Sequence, residues 1–270
     1  MCGWPKVKQF RQDKTMSAHI PRKRFGQNFL VDQGVINDII SAIRPRADDL
    51  MVEIGPGLGA LTEPLMKSLN HLHCVEIDRD IIARLHKTYS PAKLTVHGID
   101  ALKFDFGALG QRLRIVGNLP YNISSPLLFH LAQYGEQIYD MHFMLQKEVV
   151  DRMVAEPSTP DYGRLTVMLQ YRFVMDKVLD VPPEAFNPPP KVDSAVVRMI
   201  PLPADQIKVK DPAKLEQVVA QAFAQRRKTL RNNLRGLLEP QHFEQLGLDS
   251  TLRPENLSVE QFIGIANLLS

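Results

Sequence analysis

The sequence has few of the features that mark exported or membrane proteins. Its 270 residues include two cysteines, Cys2 and Cys74, which cannot form a disulfide framework and favour a reducing compartment. It also lacks an apolar run of bilayer-spanning length, and no signal-peptide hydrophobic region follows the N-terminal charges. We therefore expect a soluble protein that stays in the cytoplasm and does not bind membranes.

Metal-binding residues are also sparse. His71, His73 and Cys74 lie close together, but no second histidine or cysteine cluster supplies the remaining ligands. The alternative is an ordinary strand with polar edges. We expect no metal site.

Positive charge is unevenly distributed. Residues 1–24 carry seven lysines and arginines with one acid, and residues 221–236 carry five basic residues with none. Such a concentration of positive charge is typical of a chain that binds a polyanion. A solvated helix face and a disordered tail remain the alternative. The basic residues of the second segment are Arg226, Arg227, Lys228, Arg231 and Arg235.

The central chain alternates short apolar strands with amphipathic helices. A first helix follows Asp32, a suitable N-cap. The predicted strands are Leu50–Ile54, Leu72–Ile77, Lys93–His97, Leu113–Gly117 and Met141–Gln146, and the predicted helices are Ala60–Leu69, Arg79–Thr88, Ser124–Tyr134 and Lys147–Ala155. This alternation predicts an α/β fold with a mostly parallel, doubly wound sheet, which binds ligands at the carboxyl ends of its strands.

The C-terminal part changes character. A proline-rich stretch, Val181–Pro190, precedes a final strand at Val192–Ile200, and the pattern then becomes helical over Leu215–Leu234 and Val259–Leu269. We place a boundary near Asp205. The predicted organisation is a basic, disordered N-terminal extension (residues 1–21), an α/β domain (22–204) and a small helical domain (205–270).

Three strand ends carry ligand-binding residue types. The loop that contains Gly55, Gly57 and Gly59 follows the first strand. It is not a P-loop, because no Gly-Lys-Ser/Thr sequence follows it. Glu76 ends the second strand, where a carboxylate can accept hydrogen bonds from ribose hydroxyls, and Asp100 follows the third, where it can accept one from an adenine amino group. By itself the loop could be a turn-rich connection. Together these residues resemble the S-adenosylmethionine site of Rossmann-like class I methyltransferases.

The fourth strand ends in Gly117-Asn118-Leu119-Pro120-Tyr121. A plain turn is one interpretation. The segment also resembles the Asn-Leu-Pro-Tyr motif of enzymes that methylate adenine amino groups. The Asn118 side-chain carbonyl and the Leu119 backbone carbonyl can accept hydrogen bonds from N6, and Tyr121 can stack on the base. Phe186 could close the other face of the base, or it could simply pack against the sheet.

Many ordered matches place the chain close to one family. Arg24–Leu30, Gly55–Gly59, Asn118–Ser125, Gln146–Glu148, Tyr162–Leu165, Phe186–Val197 and Gln225–Thr229 resemble the bacterial 16S ribosomal RNA adenine dimethyltransferases, the kasugamycin-sensitivity enzymes. The resemblance runs from about Arg22 to the C-terminus, and residues 1–15 look extra, with Met16 as an alternative start. It implies N6,N6-dimethylation of two adjacent adenosines near the 3′ end of 16S rRNA, with S-adenosyl-L-homocysteine as product, and a role in late small-subunit assembly.

The resemblance also assigns residues. It implies cofactor contacts from Asn28, Leu30, Gly55, Glu76, Asp100 and Asn118, to which the loop adds Gly57, and an acceptor-base site at Asn118, Leu119, Pro120 and Tyr121. It implies that the helical domain holds rRNA. Arg227, Arg231 and Arg235 would then form one stripe on a helix. We expect a monomer whose partner is the small ribosomal subunit.

Two other functions compete with this one. A non-catalytic RNA- or DNA-binding factor on the same fold would have a degraded cofactor loop or Asn-Leu-Pro-Tyr motif, and both are intact here. A small-molecule methyltransferase would lack a separate basic domain, which the C-terminal segment contradicts. The basic N-terminus could also be an organelle transit peptide, but Pro5 and the few serines argue against it.

Overall fold

The computed structural model describes residues 28–120 and 123–270. The strands are β1 (Phe29–Leu30), β2 (Met51–Ile54), β3 (Leu72–Val75), β4 (Leu94–His97), β5 (Leu113–Asn118), β6 (Ile138–Gln146), β7 (Phe173–Val181), β8 (Phe186–Asn187) and β9 (Ser194–Pro201). The helices are α1 (Gln33–Ile43), α2 (Thr62–Ser68), α3 (Arg79–Thr88), α4 (Ser124–Leu131), α5 (Lys147–Met153), α6 (Arg164–Gln170), α7 (Pro212–Ala222), α8 (Leu230–Asn233), α9 (Pro240–Gln245) and α10 (Val259–Leu268).

The main sheet has seven strands in the order β4-β3-β2-β5-β6-β9-β7. The first five are parallel to one another, and β9 runs antiparallel to both of its neighbours, β6 and β7. The chain builds outward from β2 in one direction and from β5 in the other, so the order reverses between these two strands. The prediction of a mostly parallel, doubly wound sheet is confirmed, and its reversal point marks the expected ligand site.

Apolar side chains cover both faces of the sheet. Met141, Phe143 and Leu145 of β6 pack into a cluster with α4 and α5, whereas Met144 faces the cluster of α1, α2 and α3. This alternation follows from the two-residue period of a strand. The predicted N-cap of α1 is confirmed, because the Asp32 side chain accepts a hydrogen bond from the Val35 N–H.

A third apolar cluster lies in the C-terminal part. It joins Leu215 and Val219 of α7 and Phe262 of α10 to Val167 and Tyr171 in and after α6. Residues on both sides of Asp205 therefore share one core. None of the helices in the described ranges is long and apolar enough to cross a membrane.

The predicted helix Leu215–Leu234 is wrong. Helix α7 ends at Ala222, residues 223–228 form turns and bends, and the chain becomes helical again only in the four-residue α8. Other hydrogen bonds replace the helical ones. The Leu230 N–H donates to the distant Leu252 carbonyl, and the Asn233 side chain donates to the nearby carbonyls of Gln225 and Lys228. Strand β7 and the short pair of β1 and β8 were not predicted.

Candidate active site

The Gly55–Gly59 loop begins where the sheet order reverses. Ile54 at the end of β2 pairs with Gly117 near the end of β5, so the glycine loop and Asn118 start side by side. Gly55 and Gly57 have φ angles of +66° and +54°, which only glycine adopts without strain. The glycine loop and the Asn-Leu-Pro segment therefore lie next to each other at one edge of the sheet.

A cavity of about 250 Å³ opens at this edge of the sheet. It brings together almost all the residues that the sequence assigned to the cofactor and the target base. Those that line it are Asn28, Leu30, Gly55, Gly57, Glu76, Asp100, Asn118, Leu119, Pro120 and Phe186. Tyr121 lies outside the described residues, as do residues 1–27 with the first basic run.

Gly117 keeps the two central strands close together. A Cβ atom placed on it would lie 2.6 Å from the Ile54 carbonyl oxygen, a distance that real Cβ contacts do not reach. The obstacle is backbone, which cannot rotate away as a side chain would. Only glycine therefore fits next to Asn118 at this point of the sheet.

Glu76 is a buried carboxylate in the cavity wall, with 8% of its surface exposed. Its Oε1 accepts hydrogen bonds from the N–H groups of Ile77 (2.7 Å) and Asp78 (2.8 Å), which fix the side chain. Burial raises the pKa of Glu76, whereas N–H groups of Asp78, Ile77 and Gly57 act in the opposite direction. A carboxylate has about four lone-pair sites, so further donors can still bind.

Asp100 is positioned by its own turn. Its Oδ1 accepts a hydrogen bond from the Leu102 N–H at 3.0 Å, and the half-buried side chain lines the cavity. Two strands, β3 and β2, separate β4, which Asp100 follows, from β5, which Asn118 ends. The acids after β3 and β4 thus lie on one side of the glycine loop, and the Asn-Leu-Pro segment lies on the other.

Asn118 is held in one orientation. Its side-chain nitrogen donates to the backbone carbonyl of Asn28 at 3.2 Å. Since a carbonyl oxygen only accepts hydrogen bonds, the amide nitrogen must face Asn28, and the side-chain oxygen is the acceptor offered to other groups. The Leu119 N–H donates to the Met144 carbonyl at 3.1 Å, which fixes the next peptide.

Leu30 and Phe186 reach the cavity through a short strand pair that the sequence did not reveal. Leu30 in β1 pairs with Phe186 in β8, and both are buried. Phe186 packs in the same apolar cluster as Leu30 and also lines the cavity. Packing against the sheet, one of the two alternatives for Phe186, is thus observed, and its contact with the target base stays a prediction.

Glu53 is a site residue to which the sequence analysis gave no role. It lies in β2, is 2% exposed and lines the cavity, and its Oε2 accepts a hydrogen bond from the Thr62 hydroxyl at 2.7 Å. Burial raises its pKa to about 7. The signal was available in the sequence, because an acid within the apolar run Met51–Ile54 is costly unless it has a role.

The C-terminal basic residues do not line the cavity. Arg226, Arg227, Lys228, Arg231 and Arg235 are all exposed. The single helical stripe predicted for Arg227, Arg231 and Arg235 is wrong, because α7 ends before Arg227 and Arg235 follows α8. Arg226 donates to the Pro160 carbonyl at 3.2 Å, which ties this segment to the loop before α6.

The histidines considered for a metal have other neighbours. His71 Nε2 lies 2.9 Å from the Thr95 hydroxyl, and His73 Nδ1 lies 3.1 Å from His97 Nε2. Cys74 is buried beside Glu53. These contacts link β3 to β4 and to β2, as expected for strands with polar side chains.

Comparison with known proteins connects this arrangement to a family. A family model described as "Ribosomal RNA adenine dimethylase" matches residues 18–270. The Ribosomal RNA small subunit methyltransferase A of Chromobacterium violaceum is 66% identical over 94% of this chain and 97% of its own length. The protein of the same name from Dechloromonas aromatica is 62% identical over 94% of this chain and all of its own.

Solved structures agree with the sequence relatives. A dimethyladenosine transferase from Plasmodium falciparum has a TM-score of 0.75 at 27% identity and covers 88% of this chain and 95% of its own. A 23S rRNA methyltransferase has a TM-score of 0.69 at 25% identity and covers 90% of this chain and 99% of its own. The chain has a class I methyltransferase fold and belongs to the ribosomal RNA adenine dimethylase family.

Proposed function

We propose that this protein methylates N6 of two adjacent adenosines near the 3′ end of 16S rRNA and forms N6,N6-dimethyladenosine, with S-adenosylmethionine as methyl donor. One observation carries the proposal. The glycine loop, the acids Glu76 and Asp100, and Asn118–Pro120 meet around one cavity. Such a cavity serves a methyltransferase that acts on an adenine amino group, and the family and its relatives favour the same chemistry.

The cavity fits S-adenosylmethionine by the chemistry of its donors and acceptors. Glu76 offers a buried carboxylate to the ribose hydroxyls, Asp100 offers one to the adenine amino group, and Gly55 and Gly57 leave room for close approach. Asn28 and Leu30 close the side of the cavity next to Asn118. Once bound, the cofactor supplies an electrophilic methyl group on a positively charged sulfur and leaves as S-adenosyl-L-homocysteine.

Asn118 and Leu119 act on the target amino group. The adenine N6 lone pair is delocalised into the ring, which makes N6 a poor nucleophile. Hydrogen bonds from N6 to the Asn118 side-chain oxygen and the Leu119 carbonyl draw the nitrogen towards tetrahedral geometry and aim its lone pair. Because the Asn28 carbonyl fixes the Asn118 amide, this acceptor is oriented before the base arrives. The proton can leave N6 after transfer, so no dedicated base is required.

The base must leave its stack to reach these groups. Pro120 restricts the backbone after Leu119, and Tyr121 and Phe186 provide aromatic faces for the extruded adenine. Loops and helix ends of rRNA open more easily than duplex interiors, which makes them better substrates. The protein therefore needs a separate surface to hold the surrounding RNA.

That surface includes the exposed basic residues of the helical part, residues 205–270. Arg226, Arg227, Lys228, Arg231 and Arg235 present positive charge without a neighbouring acid in residues 221–236. Such charge positions the protein on RNA phosphates without reading sequence. We propose that the protein acts in the cytoplasm, as a monomer, on small subunits late in their assembly.

The test offers the protein and methyl-labelled S-adenosylmethionine to unmethylated small subunits and, separately, to large subunits. We expect label in small-subunit RNA and background label in large-subunit RNA. Cofactor binding is measured in parallel by calorimetry. Label confined to large subunits would overturn the substrate, and absence of both labelling and cofactor binding would overturn the proposed activity.

A further inference from the structure

A second cavity lies at the opposite end of the parallel strands. Its volume is about 590 Å³, and residues at the starts of β2, β5 and β6 line it. Five arginines and four aspartates are among its lining residues, so its wall is strongly polar. A cavity of this size is large enough for a small organic ligand. The methyl-transfer chemistry described above uses none of these residues.

The sheet register explains why so many polar side chains meet here. His142 of β6 pairs with Arg198 of β9, and Arg198 pairs with Asp176 of β7. Cross-strand partners lie on the same face of a sheet, so these three side chains form a row. Asp140 precedes His142 by two positions and shares that face, as does its partner Arg114 in β5.

Part of this charge is already compensated. Arg114 forms hydrogen bonds with Asp140 at 2.7 and 2.8 Å and with Asp49 at 2.7 Å, and it also donates to the Ile43 carbonyl at the end of α1. These contacts satisfy Arg114 within the fold. Two further aspartates line the cavity, and so do four further arginines, which are Arg44, Arg46, Arg112 and Arg198. The lining as a whole carries one more arginine than aspartate, which favours an anionic ligand.

His142 is the unexplained group of the cavity. Its side chain is 3% exposed, and neither ring nitrogen has a hydrogen-bond partner in the ranges that the structure describes. Burial lowers its pKa to about 4, so near neutral pH the ring is uncharged and carries one donor and one acceptor. Such a buried, unsatisfied side chain is costly unless a ligand or an ordered water supplies the missing partners.

The rim of the cavity carries a cation–aromatic pair. The Arg112 guanidinium lies 4.6 Å from the centre of the Tyr139 ring, and the tyrosine is 47% exposed. Nucleobases stack on tyrosine rings and on arginine planes.

Two of the arginines at this cavity also have a strained backbone. Arg44 and Arg112 have positive φ angles, 51° and 60°, which are strained for residues other than glycine. We propose that this cavity binds a nucleotide, with its base on Arg112 and Tyr139 and its phosphate on the arginines.

The same chemistry is present in a free nucleotide and in one nucleotide of an RNA chain. The experiment therefore uses two probes with the full chain, uridine monophosphate and a short oligouridylate, each titrated by calorimetry. Pyrimidine probes avoid competition for a cavity suited to adenine. The cavity variants are Arg112→Gln and Tyr139→Leu, both at exposed positions, and Lys87→Gln removes an exposed positive charge of α3, outside the cavity lining, as a control.

We expect each cavity variant to lower the affinity for the probe about tenfold, because a stacked base contributes ~1–3 kcal/mol. The control variant should bind the probe with unchanged affinity. Binding of uridine monophosphate with this pattern identifies a free-nucleotide site, and binding of oligouridylate alone identifies an RNA contact. Nuclear magnetic resonance of the His142 ring nitrogens provides a second measurement, since an occupied cavity must shift them. Absence of binding by both probes, or an equal loss of affinity in the Lys87→Gln protein, would overturn the proposal. Methyl transfer does not enter this test, so its outcome is independent of the proposed activity.

Discussion

The active-site cavity and the C-terminal basic segment are built in opposite ways. The cavity side chains follow buried parallel strands, and hydrogen bonds hold Glu76 and Asn118 in place. The basic residues between α7 and the end of α8 are exposed and lie on turns and a single helical turn. One region depends on exact placement of a few atoms, whereas the other depends on the sum of several charges.

This difference predicts how each region responds to substitution. Loss of one cavity group should have a large and specific effect, because catalysis requires preoriented groups. Loss of one surface charge should weaken RNA binding only slightly, and added salt should weaken it in the same way. The four predictions that follow test this contrast, in order of decreasing size.

The largest effect is expected for Asn118→Ala. Turnover should fall about a thousandfold, because the oriented acceptor for N6 is lost. Affinity for S-adenosylmethionine should change only a few-fold. Single-turnover kinetics and calorimetry measure the two quantities, with Asn37→Ala, an exposed asparagine in α1, as the matched control. Wild-type turnover in the Asn118 variant would refute its role at the amino group.

Glu76→Ala should weaken S-adenosylmethionine binding about a hundredfold, since hydrogen bonds to a charged group contribute ~1.5–3 kcal/mol each. Glu76→Gln keeps one oxygen acceptor, so its affinity for S-adenosylmethionine should fall less than that of Glu76→Ala. Calorimetry with both variants gives the affinities, and circular dichroism checks the fold. Equal affinity in wild type and Glu76→Ala would exclude the ribose contact.

Glu53 predicts a pH effect on stability. Its folded-state pKa of about 7 exceeds the ordinary value of 4.5, so the folded protein holds the proton more tightly than the unfolded chain. This contribution is full at low pH and is lost as pH rises towards and through 7. Between pH 5 and pH 8, the free energy of unfolding of the wild type should fall by about 2 kcal/mol relative to that of Glu53→Gln.

Denaturant unfolding of both proteins across this pH range measures the Glu53 effect. Thr62→Val serves as a control, because it removes the hydroxyl that donates to Glu53 and leaves the carboxyl in place. Without this donor the carboxylate is less stabilised, and the pH dependence should grow. Parallel stability curves for wild type and Glu53→Gln would show that Glu53 ionises normally.

The smallest effect is expected for the basic segment. Replacing Arg227, Arg231 and Arg235 by glutamine should weaken RNA binding about tenfold at moderate salt and reduce the slope of log affinity against log salt. The matched control replaces the exposed Lys67, Lys87 and Lys93, which changes the net charge equally. If the two triple variants bind RNA equally well, the segment has no specific role as an RNA surface.

The strand ends explain why the cavity was predictable from sequence. Parallel strands bring their carboxyl ends to one edge, so Gly55, Glu76, Asp100 and Asn118 meet once the strands are recognised. Local patterns could not show the two-residue pair of Leu30 and Phe186, because the partners are far apart in sequence. For the same reason, the Asn28 carbonyl that orients Asn118 was unforeseen.

The basic segment shows the limit of helical spacing. Arg226, Arg227 and Lys228 favour helix, and their neighbours have helical apolar spacing. The helix nevertheless ends at Ala222, because the Asn233 and Gln221 side chains bond backbone carbonyls after the break, and Leu230 bonds the distant Leu252. Tertiary hydrogen bonds of this kind override local propensity and leave no pattern in the sequence.

The most direct test of the central claim identifies the product on the RNA. Unmethylated small subunits are incubated with the protein and S-adenosylmethionine, and the digested 16S rRNA is analysed by mass spectrometry. The account predicts N6,N6-dimethyladenosine at two adjacent positions in a fragment near the 3′ end. Unmodified adenosines at those positions, with intact cofactor binding, would contradict it.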